Sequence, residues 1–208
     1  MREQPLTTGA AVGLSVVVLL VWTLGLLGGD LAGAPLVETV ELGGPAEYLW
    51  RLACGVAGLF VVLAARPALR RLDPNARAGA AALLVQLGGV ALLLLAAAPA
   101  KADDAGAVVL QETDPVATYG TVATLVLGAL VPAAGFLLAA RWRSDPARRT
   151  ETVVSFVTST LALWAMLAYS LAPEGDWSGL AQRVSCSVAL GWVAWLFTRS
   201  LDPQQRSG

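Results

Sequence analysis

The chain contains no histidine and only two cysteines, Cys54 and Cys186, in 208 residues. Without histidine it lacks the commonest metal ligand and the usual general base near neutral pH. The cysteines have no CxxC or zinc-type spacing, so a metal site would need carboxylates alone, and no cofactor is expected. Charge is also scarce. Charged residues make up 14% of the chain, against about 25% in soluble globular domains. The net charge of −1 leaves no basic face to neutralise phosphates along a nucleic acid, which excludes that class of partner. Nucleotide and hydrolase signatures are missing too: there is no Walker loop, GxSxG or HExxH.

What fills the chain instead is apolar. Hydrophobic residues account for 56% of it, and the mean hydropathy is +0.66. The charges cluster between long apolar runs, the pattern of a polytopic membrane protein. A bilayer core of roughly 30 Å needs about 20 helical residues. The runs predict an all-α bundle of six transmembrane helices at about 9–27, 46–65, 76–98, 116–140, 152–171 and 180–199, in a single domain spanning 1–208. The first run is longer than a signal-peptide core and has Trp22 inside it, so it reads as a retained helix. Pro132 is expected to kink the fourth helix. Asp73-Pro74, Asp145-Pro146 and Asp202-Pro203 read as helix punctuation.

The connections alternate in charge. Residues 66–77 and 141–151 carry four arginines each, and the tail adds Arg199 and Arg206. The intervening connections are acidic, with Glu38, Glu41 and Glu47 in the first and Asp103 and Asp104 in the third. The positive-inside rule then places both termini in the cytoplasm of a cell-membrane protein. The second and sixth helices would both run from outside to inside. Their openings echo each other: Arg51-Leu-Ala-Cys54 matches Arg183-Val-Ser-Cys186.

Arg51 and Arg183 are therefore candidate ligands at the outer rim, with Gln182 beside them. Each arginine could simply snorkel to the headgroups. If both face the bundle interior, they need anions: Glu38, Glu41, Glu47, Asp103, Asp104 or a lipid phosphate. The outer carboxylates are equally readable as a solvated surface.

Several stretches carry a family resemblance. They are VETVELGGPAEYLWRLACGVAGLF after the first helix, AAAPAKADD after the third, TDPVATYG before the fourth and GLAQR opening the sixth. Together the pattern resembles the prokaryotic membrane proteins grouped as domain of unknown function 998. Members often carry a Ser-Asp pair where this chain has Glu41-Leu42-Gly43, and a histidine near the position of Tyr119. The resemblance implies a link to lipids. The leading expectation is a protein without its own catalysis that binds membrane lipids or packs against other membrane subunits or itself. A membrane-embedded enzyme acting on a lipid or isoprenoid at the outer leaflet is the first alternative, and a small transporter the second.

Overall fold

The computed structural model describes residues 3–27, 45–73, 76–97, 122–123, 125–171 and 177–201. These residues are helical apart from short turns, and no strand occurs among them. Helix α1 spans Glu3–Leu27, α2 Pro45–Leu72 and α3 Ala76–Ala97. A π-helical turn at Val126–Leu130 runs into α4, Val131–Trp142. A 3-10 turn at Pro146–Arg148 leads to α5, Arg149–Leu171, and α6 spans Ser178–Leu201.

Five of these helices are long and apolar enough to cross a membrane, and Val126–Trp142 is a shorter apolar helix. Large apolar side chains such as Leu19, Leu52, Leu83, Phe156, Leu161 and Trp164 stand exposed around the bundle. In water such a surface would aggregate, whereas in lipid it is at home.

The second helix corrects the expected boundary at residue 65. It continues to Leu72 through Pro67, so most of the expected connection at 66–77 is helix. Proline inside a helix costs about 3 kcal/mol. Here the buried series Ala57, Val61, Ala64 and Ala65 extends in register to Ala68, Leu69 and Leu72. That packing continues past the proline and outweighs its cost. The expected start of the fourth helix at 116 lies outside the described residues.

Pro132 is accommodated by a change of helix type. In an α-helix its ring would meet the carbonyl four residues back, at Gly128. The preceding turn instead widens, and the Val131 N–H donates to the Val126 carbonyl five residues back.

Consecutive helices pack against one another, and α6 closes the ring against α1 while also touching α2 and the π turn. Small residues set the closest approaches, as lipid-solvated helices require. At the α2–α3 crossing a Cβ on Gly58 would lie 2.7 Å from the Gly89 carbonyl oxygen, so the two backbones are in contact. Nearby, Gln86 donates to the Val62 carbonyl at 2.9 Å. This use satisfies the one strongly polar side chain in the middle of α3. Where α4 meets α5, Gly135 leaves room for the Ser159 hydroxyl.

Candidate functional site

The registers of these hairpins sort the charges. The ends of α2, α4 and α6 and the start of α5 meet at one end of the bundle, which carries Arg66, Arg70, Arg71, Arg141, Arg143, Arg148, Arg149 and Arg199. Arg51 and Arg183 lie toward the other end.

At that other end α2 and α6 run parallel and in contact. Cys54 lies on α2 and Cys186 on α6, and both are free thiols buried in the core. Each arginine stands three residues before its cysteine, so Arg51 and Arg183 sit one turn nearer the rim at matching levels. Their exposures differ. Arg183 is 0% exposed and Gln182 beside it 1%. Arg51 is half-buried, one position round the helix from the buried Trp50. Arg51, Gln182 and Arg183 all have interaction partners. A fully buried guanidinium keeps its charge at any ordinary pH, so its compensating contacts are part of the fold.

Beneath this rim α6 is held on several sides. The Trp22 indole of α1 donates to the Ser187 hydroxyl at 2.9 Å. Ser185 donates to the Ala162 carbonyl at 2.8 Å, and the Trp192 indole donates to the Ser155 hydroxyl at 3.1 Å, both across to α5. These bonds fix the rotation of α6 about its axis, and with it the inward aim of Gln182 and Arg183. Bonds between helices in such an interior are each worth about 0.5–2 kcal/mol. They add specificity to an interface whose small side chains would allow sliding.

Glu38, Glu41, Asp103 and Asp104 lie outside the described residues. Glu47 falls in the first turn of α2, and the placement of its side chain lies outside what is described. The structure therefore brings Arg51, Arg183 and Gln182 toward one rim.

The arginine-rich end contains two buried carboxylates that sequence reasoning passed over. Asp73, at the end of α2, pairs with Arg141 of α4 at 3.4 Å and has a side-chain exposure of 6%. Glu151, in the first turn of α5, pairs with Arg199 near the end of α6 and is 5% exposed. The first pair joins helices that no single connection links, and the second ties together the α5–α6 hairpin at the end far from its connection. A third pair is local: Asp145 caps the 3-10 turn by accepting the Ala147 N–H at 3.0 Å and meets Arg148 at 3.4 Å. Arg148 in turn lies over the Trp142 ring, 5.5 Å from its centroid, in a cation–π contact.

Chemically, this arrangement holds and presents cations. The two buried carboxylates are each matched by an arginine. The thiols are enclosed among apolar neighbours. Among the described residues no three Cys, Asp or Glu side chains converge to hold a metal. No family model, curated protein or solved structure matches the chain.

Proposed function

We propose that this chain is a six-pass protein of the cell membrane with both termini in the cytoplasm, serving as a lipid-binding or accessory subunit without chemistry of its own. Six passes follow if the helix ending at Trp142 begins before Val126, as its apolar sequence allows. The orientation is supported by the gathering of arginines at one end. Membership of the family of domain of unknown function 998 belongs to the same proposal and rests on the stretches quoted above.

The observation that carries the reading is the rim formed by α2 and α6. Arg183 is wholly enclosed and anchors the mouth. Arg51, at the same level on the adjacent parallel helix, is only half-buried and can present its guanidinium to an anion. At the depth of lipid headgroups the available anion is a phosphate, which arginine binds in bidentate fashion. A rigid frame with one reachable arginine suits holding a lipid, or a lipid-covered partner, better than turning one over.

Native mass spectrometry of the protein extracted in mild detergent tests this. The wild type should retain phospholipid or a partner chain. Arg51→Gln should carry one phospholipid fewer, while Arg70→Gln, at the opposite end, should match the wild type. A wild type that flies as a bare monomer, or equal lipid counts in all three, contradicts the reading.

A further inference from the structure

The second site is at the other end of the bundle, where α4 turns into α5. A cleft of about 220 Å³ opens there, lined by Arg143, Asp145, Pro146, Arg149, Thr152 and Val153. We infer that this cleft seats the phosphate headgroup of an anionic phospholipid, in the leaflet that meets the arginine-rich end, between Arg143 and Arg149.

The charges in the cleft are unequal in their needs. Asp145 is already committed, to the Ala147 N–H and to Arg148, and Arg148 also rests on Trp142. Arg143 and Arg149 are both exposed, and neither forms an ion pair among the described residues. The turn places these two uncompensated cations on one cleft. Arg143 caps α4, donating its N–H to the Ala139 carbonyl at 3.0 Å, and Arg149 opens α5. Two like charges lining one cleft repel each other, and an anion between them reduces that cost. The first turn of α5 adds the positive end of a helix dipole.

The apolar part of the site identifies the source of the phosphate. Val153, on the cleft wall, is 52% exposed and begins a stripe that continues through Phe156 and Val157 at helical spacings of three and four. Phe156 meets Phe136 of α4 edge to face at 5.7 Å, so the stripe has a firm aromatic border. The helical segment long and apolar enough to cross a membrane runs from Pro146 to Leu171, so the cleft lies at its first turn. A molecule seated here has its anion at the water boundary and an apolar surface leading into the bilayer. A phospholipid matches both parts, whereas a free phosphate uses only the first. The inference needs only that the helices span a membrane. It does not depend on the lipid contact proposed at Arg51.

Binding is measured by titrating the purified full chain, in the Arg51→Gln background, with phosphatidylglycerol and with phosphatidylcholine of the same acyl chains. The adducts are counted by native mass spectrometry. Phosphatidylglycerol should bind more tightly, and the Arg143→Gln/Arg149→Gln pair should weaken it by about fivefold per arginine, roughly 25-fold in total. Arg66→Gln/Arg70→Gln, which removes the same charge from exposed positions on α2, should leave it unchanged. The Arg143→Lys/Arg149→Lys pair, which keeps the charge, should recover part of the loss. Inorganic phosphate should not compete at lipid-like concentrations. Equal losses in the two glutamine pairs, no preference between the lipids, or competition by phosphate at the concentration of the lipid would each overturn the assignment. Both arginines are exposed, so a thermal melt near that of the parent is expected for every variant. A collapsed melt would itself contradict their placement as uncompensated surface cations.

Discussion

Gly58→Ala tests the tightest point of the bundle. The added Cβ would sit 2.7 Å from the Gly89 carbonyl oxygen, 3.0 Å from the Leu93 nitrogen and 3.1 Å from the Leu92 Cβ. Two of these three atoms are backbone, so no side chain can swing away to make room. Restoring ordinary contact requires α2 and α3 to part by roughly 0.5–1 Å, which loses dispersion along the crossing. Overpacking of this kind costs about 1–3 kcal/mol. Alanine returns up to about 1 kcal/mol through its higher helix propensity. The net effect is a destabilisation of about 1–2 kcal/mol, and for a chain of this size it should lower Tm by about 2–8 °C. Gly191→Ala in α6 is the control, because its Cβ meets nothing within 4 Å. That variant should melt at or slightly above the wild type. Both are read by thermal unfolding in one detergent, following tryptophan fluorescence. A Gly58→Ala protein that melts with the wild type or above it refutes backbone contact at this crossing.

Arg183→Leu should lower Tm in detergent clearly more than Arg70→Leu, because Arg183 is wholly enclosed and has interaction partners that would be left behind, whereas Arg70 is exposed; equal effects would count against an anchoring role. Cys54 and Cys186 are both buried, so neither should react with a small maleimide until the chain is denatured, and labelling of the folded protein would contradict their enclosure.

Much of the architecture is readable from the residues. The apolar runs mark where helices lie, and the echo between Arg51 and Arg183 and between Cys54 and Cys186 marks two helices that turn out to be parallel neighbours. The end of α2 misleads because proline and arginines are local signals of a connection. The helix continues for a non-local reason: Ala68, Leu69 and Leu72 find partners in the bundle. The pairs Asp73–Arg141 and Glu151–Arg199 are harder still. Each carboxylate stands beside several arginines in sequence, and only the packing of the helix ends decides which one it meets. Pro132 is a visible disruption, but the π turn that absorbs it depends on packing around Gly128, where Met166 and Ser185 press close. The acidic partners expected for the rim, Glu38, Glu41, Asp103 and Asp104, lie outside the described residues, so the site is legible there only as far as its cations.

The direction in which the arginine-rich end faces decides whether the Arg51–Arg183 rim meets the outer leaflet. It can be read from one position. Ser144 lies exposed in the turn between α4 and the 3-10 segment, at that end of the bundle. With Cys54 and Cys186 replaced by alanine, Ser144→Cys provides a single reactive thiol for a membrane-impermeant maleimide applied to right-side-out membrane vesicles. An arginine-rich end inside the cell predicts no labelling until the vesicles are permeabilised, followed by full labelling. Full labelling of sealed vesicles would turn the protein over, put Arg51 and Arg183 at the cytoplasmic face and contradict the proposed outer rim.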